Sequence, residues 1–328
     1  MKISFYQRRP YNFYYSIEAI FDEVRYFMPK DFDYQIVIPP QYSKGILNRL
    51  KIIFYANKCQ GDINHITGDI HFVAIGLDKR KTILTIHDCR GMEAKSFFKR
   101  KMFLFFWLKI PVAYSTHITV VSEKTKNDVI KYTNCDPSKI SIIPSTISHL
   151  FQRSDKEFNS KKPNILQFIA APNKNALRVV ESLSGISCKL ILLGKTSDNE
   201  IFDVVKSLGI DYEHHYNLSL NEVVELYKKS DIVSFPSTYE GFGMPILEGQ
   251  AVGRPILTSN IHPMIETAGE GACFIDPFDI LSIRNGFLRI IENETYRDNL
   301  ILKGFMNFKK HEPQEVASKY YSLYRSFT

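Results

Sequence analysis

The stretch DIVSFPSTYEGFGMPILEGQAVGRPILTS, residues 231–259, decides how the rest of the chain is read. It opens on a short apolar run, DIVSF, with the composition of a buried parallel strand. Residues 237–244 follow as a loop with two glycines. Pro245 falls in the first turn of a helix, where its missing N–H costs nothing. The helix PILEGQAVG stops near Gly253, and RPILTS is again a strand. Strand, loop, helix and strand in this order make a βαβ unit, which requires a parallel sheet.

The loop carries the chemistry. In open parallel sheets ligands bind beyond the carboxyl ends of the strands, where this loop lies. The N–H groups at the start of the helix favour an anion. Gly241 and Gly243 let backbone approach a ligand closely. Glu248 lies one turn into the helix, near enough to the mouth to accept hydrogen bonds from hydroxyl groups. Read alone, the same residues also fit a plain glycine turn with a carboxylate that favours the helix dipole.

The alternation continues in both directions. NILQFIA, CKLILLG and IDYEHH read as strands before the stretch, with NALRVVESLSG, EIFDVVKSLG and NEVVELYKKS as the helices between; GACFID and a helical tail follow it. The first half repeats the pattern with KISFY, YQIVIP, TILTIHD and HITVVS as strands, and with YSIEAIFDEVRYFM and SKGILNRLKIIFYANK among its helices. From residue 143 to 163 apolar periodicity fades and polar residues gather, as in a linker. The reading is an α/β chain of two Rossmann-like domains, 1–150 and 151–328, the second with the terminal helices. A length of 328 residues suits two domains of about 150 each.

Charge divides unevenly. Residues 1–150 hold 22 Lys/Arg and 13 Asp/Glu, a net +9, while the remainder is −2. An anionic partner of the first half is implied, and with no recognised binding motif nucleic acid is set aside. Lys95 to Pro111, KSFFKRKMFLFFWLKIP, interleaves basic and aromatic residues. It reads either as a helix lying in the interface of an anionic membrane or as a buried helix with a solvated end. Its apolar run, Met102 to Leu108, is far too short to span a bilayer. The N-terminus has no signal-peptide pattern, and five scattered cysteines without a C-x-x-C pair read as reduced thiols. The location expected is cytoplasmic, at the inner face of the cell membrane.

PSTYEGFGMPILEGQAVGRPILTS resembles the E-x7-E region of glycosyltransferase family 4, retaining transferases of the GT-B fold. IAAPNKNALRVVESLSGISCKLILLGK and GEGACFIDPFD resemble the family's opening and late segments, so the likeness covers most of the C-terminal half. TILTIHD and ITVVSEKTKNDVI resemble it more loosely. The resemblance implies two domains facing across a cleft, the first for the acceptor, with a C-terminal helix crossing back to it.

By the same resemblance Glu248 holds the ribose of a nucleotide-sugar donor. Glu240 and the backbone of Gly241, Phe242 and Gly243 hold the sugar, and N–H groups near Met244 and Pro245 face the diphosphate. Lys174 takes the place of the family's cation on the departing diphosphate; on its own it reads as a solvated loop lysine. Where relatives often carry an arginine nearby, this chain has Ile169-Ala170-Ala171. Arg8 and Arg9, after the first strand, are the alternative cations. His87 matches a histidine that touches the donor sugar near the reacting centre, against the plain alternative of a structural histidine. Asp88 beside it, a phosphate or acceptor contact, also suits a helix cap. His65 and His71 are weaker acceptor-side groups.

The activity implied is retaining transfer of a hexose from a nucleotide sugar to a saccharide or lipid-linked saccharide, in surface polysaccharide or lipopolysaccharide assembly. No metal and no cofactor is expected. DFD, residues 31–33, has a metal-binding spacing but precedes a strand, with nothing nearby to complete a divalent-ion site. Three alternatives stay open: a sugar-nucleotide epimerase, a phosphorylase of the same fold, and a non-catalytic nucleotide-sugar-binding subunit.

Overall fold

The computed structural model describes residues 1–9, 16–93, 96–197 and 199–327. Tyr15 of the first expected helix, Lys95 of the basic-aromatic segment and Thr328 lie outside them. The chain forms two compact units, residues 1–148 with 313–328, and residues 149–312. The boundary falls inside the expected linker. The final helix, counted by position with residues 151–328, belongs to the first unit, as a returning C-terminal helix must.

The first unit is built on strands β1 (Lys2–Tyr6), β2 (Asp33–Val37), β3 (Ile63–Ile66), β4 (Thr82–Ile86), β5 (His117–Val120) and β6 (Ile140–Ile142). They form one parallel sheet in the order β2-β1-β3-β4-β5-β6. Its helices are α1 (Ser16–Tyr26), α2 (Ile46–Asn57), α3 (Phe97–Phe103), α4 (Ile110–Ala113) and α5 (Glu123–Thr133). A π-helical turn, Leu104–Lys109, joins α3 to α4 without a break. The connection from β1 to β2 runs one way across the sheet and all later ones run the other. Right-handed crossovers therefore set α1 on one face and α2 to α5 on the opposite face. Ile52 and Ala56 of α2, Leu108, Val112 and Val129 pack on that second face.

The second unit holds β7 (Asn164–Phe168), β8 (Lys189–Leu193), β9 (Asp211–His215), β10 (Ile232–Phe235), β11 (Ile256–Ser259) and β12 (Cys273–Ile275). These too are all parallel, in the order β12-β11-β10-β7-β8-β9. The helices are α6 (Ala176–Ser182), α7 (Glu200–Ser207), α8 (Leu220–Lys229), α9 (Met244–Val252), α10 (Met264–Ala268), α11 (Ile280–Glu292) and α12 (Glu294–Phe308). Local chemistry starts several of them: Ser219 and Glu222 form a capping box on α8, and Asp279 and Asn293 cap α11 and α12. Gly253, at φ 81°, ends α9 as expected.

Helix α13 (Pro313–Arg325) completes the first unit. Its Tyr320 and Tyr324 pack with Phe21 of α1 and with His65 of β3.

Candidate functional site

In the second unit the chain lays β8 and β9 outward from β7, then returns to place β10 on the other edge of β7. That reversal is a topological switch point, and the loops after β7 and β10 flank its crevice. Lys174 comes from the first loop and Glu240 from the second. Lys174 Nζ lies 2.7 Å from Glu240 Oε1 and 4.5 Å from the centre of the Phe235 ring. Asn173 Nδ2 donates to Tyr239 O at 2.8 Å and to Glu240 Oε1 at 3.1 Å, and Thr238 N–H donates back to Asn173 O at 2.9 Å. The loop after β7 is itself held from below: buried Gln167 Nε2 donates to Lys174 O at 3.0 Å and its Oε1 accepts from Ser234 at 2.7 Å. The two loops thus form one braced structure with an ion pair at its mouth.

Helix α9 begins directly after it. Gly243 sits at φ 103°, and a Cβ there would come within 3.2 Å of Ile246, so a side chain is strained at this position. Pro245 carries no N–H, and Ile246 N–H donates to Gly243 O at 3.0 Å. The N–H groups left at this end, near Met244 and Pro245, are those of Gly243 and Met244, since Pro245 has none. Phe242 contributes backbone only, because its ring is buried beside His311 and its carbonyl accepts from Thr267 at 2.6 Å.

Glu248 follows one turn later, half-buried. The hydroxyl of Tyr227, a fully buried residue of α8, donates to its Oε2. Burial pushes the Glu248 carboxyl up to about 7, against the pull of the Tyr227 hydrogen bond and the Lys174 charge. The residue is therefore poised between a carboxylate that accepts two hydroxyl donors and a neutral acid.

A pocket of about 500 Å³ opens beside Lys174, between the ends of β7 and β8, and includes Ala170, Ala171, Arg178 and Lys195 in its wall. Gly194, at φ 127°, brings β8 so close that a Cβ there would sit 2.8 Å from that of Ala170. Arg178 donates to Asn175 Oδ1 at 3.0 Å. Arg178 and Lys195 are basic groups that the sequence reading missed, as it missed Asn173 and Tyr227. For Lys195 a signal existed, its place just after a strand; Tyr227 reads as an ordinary apolar-face residue of its helix.

In the first unit the strand order reverses between β1 and β3, giving a second switch point. A pocket of about 320 Å³ there is lined by Arg8, Asp69, His71, His87, Asp88 and Trp107 among others. His87 Nε2 lies 3.1 Å from Thr67 O, so Nε2 carries the proton and Nδ1 is the acceptor. Burial holds its pKa below the usual value although the Thr67 carbonyl and Asp88 oppose this, so the ring is neutral near pH 7. Asp88 accepts from Arg90 N–H at 2.9 Å and caps a short turn, the cap that its residue type also suits. Arg8 faces the pocket while its Nε donates to Glu18 at 2.8 Å. Arg9 goes elsewhere: it donates to Pro40 O and stacks over Tyr42 at 4.7 Å. His71 joins His87, its Nδ1 donating to Trp107 O at 2.8 Å. His65 does not. It is wholly buried in β3, 2.7 Å from both Tyr324 Oη and Thr85 Oγ1, and is a core histidine rather than an acceptor group. Among the described residues no three His, Cys, Asp or Glu side chains are grouped to hold a metal ion.

Two units of this kind, each a parallel sheet of six strands with its own switch point, define the chain as a protein of the GT-B fold. Solved structures agree over the whole chain. Sucrose-phosphate synthase from Thermosynechococcus elongatus matches with a TM-score of 0.80 at 13% identity, over 99% of this chain and 98% of that one. HepE from Anabaena, solved with UDP and glucose, matches with a TM-score of 0.78 at 14% identity, over 99% and 100%. Residues 151–305 match the family described as glycosyl transferases group 1, and Lys174, Glu240 and Glu248 all lie within the match. The chain is also 29% identical over 210 residues to O-antigen chain mannosyltransferase RfbU of Salmonella typhimurium, covering 61% of this chain and 58% of that protein. It thus spans a little over half of that relative's length.

Proposed function

We propose that the chain is a retaining glycosyltransferase that moves a hexose from a nucleotide sugar to a saccharide or lipid-linked saccharide, in surface polysaccharide assembly. The observation that carries this reading is the braced Lys174–Glu240 pair at the switch point, with Glu248 on the adjoining helix. The group 1 family match supports it, and the O-antigen relative supports the setting. Glu248 takes the ribose, Glu240 the sugar, and Lys174 with the Gly243 and Met244 N–H groups takes the diphosphate. The pocket around His87 serves the acceptor. Segment 95–111 contacts an anionic membrane from the cytoplasmic side, since Phe97, Phe98, Met102 and Phe105 of its described part are exposed. No helix among the described residues is long and apolar enough to cross a membrane.

In the reaction the acceptor hydroxyl attacks the anomeric carbon on the face from which the diphosphate leaves. The anomeric C–O bond breaks, its electron pair stays with the diphosphate, and the acceptor proton passes to a phosphate oxygen. Preorganised positive charge on the leaving group lowers the barrier without a metal. The test has two stages. A panel of UDP-, GDP- and ADP-hexoses is screened by thermal shift, where a bound donor raises the melting temperature by mass action. Nucleoside diphosphate release is then measured with and without a lipid-linked saccharide extract, and the product anomer is read by NMR. Acceptor-dependent release with the donor's anomer retained is the expected result. Conversion of the sugar nucleotide without acceptor favours the epimerase, and inversion overturns the retaining mechanism.

A further inference from the structure

Helix α2, expected only as a helix, points large apolar residues outward. Ile46 and Leu47 are each 75% exposed, Phe54 is 69% exposed and Leu50 is exposed too, while Ile52 and Ala56 fill the core. Residues 46, 50 and 54 fall one above another on a single stripe. The segment that begins with α3 does the same with Phe97, Phe98, Met102, Phe105 and Phe106. Both elements lie on one face of the first sheet. Arg49 of α2 stacks over Trp107 at 4.5 Å, and Asn57 at the end of α2 donates to Gly76 O in the short helix His71–Gly76. That short helix is tied in turn to the π-helical turn by the His71 to Trp107 O bond.

The charge on the two elements has one sign. Residues 44–58 and 96–114 contain eight Lys/Arg and no Asp/Glu. Among the described residues none of Lys51, Lys58, Lys99, Arg100, Lys101 or Lys109 forms an ion pair, and Lys101 sits over the Phe97 ring at 4.6 Å. A second copy of the same surface would bring eight positive charges against eight. An anionic lipid surface complements both features, since phosphates take the cations and the acyl boundary takes the aromatic and aliphatic side chains.

We infer that α2 and the segment 97–109 form a single two-helix face that docks on an anionic bilayer. The inference rests on the membrane contact proposed above for 95–111 and adds a second, independent anchor. It also gives the acceptor an address: Phe103 and Trp107, from the same helical segment, line the His87 pocket, so a lipid-borne saccharide would reach that pocket from the docked surface.

Co-sedimentation of the full chain with phosphatidylglycerol/phosphatidylethanolamine vesicles tests this against phosphatidylcholine vesicles. Binding is expected to the anionic vesicles, weakening as salt screens the charges. Ile46→Glu/Leu47→Glu/Phe54→Glu is expected to weaken it about tenfold or more, as is Phe97→Glu/Phe98→Glu. These side chains are exposed, and unchanged melting temperature and nucleotide binding check the fold. Trp107, the single tryptophan, gives a readout without any variant: brominated acyl chains should quench it. If the α2 variant binds like the parent while the Phe97/Phe98 variant is released, the two-helix face is wrong and the 95–111 contact stands alone. Equal binding to phosphatidylcholine, or a dimer that the α2 variant dissociates, overturns the lipid assignment. Absence of nucleotide binding by the parent chain, with its vesicle binding intact, would instead sink the donor site.

Discussion

Lys174 Nζ and Glu240 Oε1 are 2.7 Å apart, although they come from loops 66 residues apart in sequence. Both side chains are mostly buried, at 20% and 16% exposure, and they meet beside a switch point rather than on a solvated face. A pair placed there for stability alone would be a poor device, because desolvation offsets much of its attraction. In the donor site proposed above the same two charges have a second use, Lys174 toward a diphosphate and Glu240 toward a sugar hydroxyl.

Lys174→Ala and Glu240→Ala are each expected to lower turnover about 10²-fold or more, the scale for losing an electrostatic contact to a developing charge. Stability should fall by about 1–3 kcal/mol, because the remaining charge stays partly buried without its partner while Asn173 still ties the loops together. Single-turnover rates beside denaturant melts check both parts. Near-normal turnover in both variants would sink the site.

The site residues were legible where they follow strands. DIVSF and NILQF are buried apolar runs, so the loops after them could be assigned, and with them Glu240 and Lys174. Strand β3 was not legible. Its INHI sequence buries Asn64 and His65, which are tolerated because Asn64 meets Tyr6 at 3.1 Å and His65 is bonded at both nitrogens. The outward face of α2 was hidden for a different reason: apolar residues stand on both sides of that helix, and only packing decides which side turns inward.

Glu248 predicts a pH dependence. Its pKa is raised from an ordinary value near 4.5 to about 7, so the fold favours the protonated acid. Its contribution to stability is present below about pH 4.5 and is lost as pH rises through 7. If Glu248 holds the ribose as proposed, nucleotide binding runs the other way, because two hydroxyl donors need the carboxylate. Affinity for UDP or GDP should therefore rise between pH 6 and 8, and calorimetry should show this slope flattened in Glu248→Gln. Tyr227→Phe removes a hydrogen bond that favours the ionised form, so the midpoint should move to higher pH. An unmoved midpoint would argue that Tyr227 is only a packing residue.

Gly243→Ala should weaken nucleotide binding more than it disturbs the rest of the unit. Its left-handed φ and the 3.2 Å approach to Ile246 force the backbone to shift where the Gly243 and Met244 N–H groups lie. A cost of about 1–3 kcal/mol is expected from strain. Gly253→Ala, also at positive φ but with only the Arg153 side chain at 3.8 Å, supplies a control with comparable strain at the far end of α9. Equal loss of nucleotide affinity in the two would remove the helix start from the binding site.

His65 ties α13 to the first unit and makes that docking sensitive to acid. Burial pushes its pKa down to about 3, with the neighbouring His87 and Arg25 acting in the same direction. The unfolded chain binds a proton near pH 6.5 that the folded one refuses. Stability from this group is complete above that value and is lost as pH falls toward 3, at up to about 1.4 kcal/mol per pH unit. Urea melts at pH 7 and pH 5 should separate, and His65→Gln should narrow the gap while lowering stability at pH 7, because it loses one of the two bonds to Tyr324 and Thr85. The Tyr324→Phe variant sharpens the assignment. It breaks only the bond to α13, so exchange of the α13 amides should quicken while those of β4 stay protected. If α13 exchange is unchanged, His65 serves the sheet core and α13 is held by its aromatic contacts, among them those to Phe21 and Phe32.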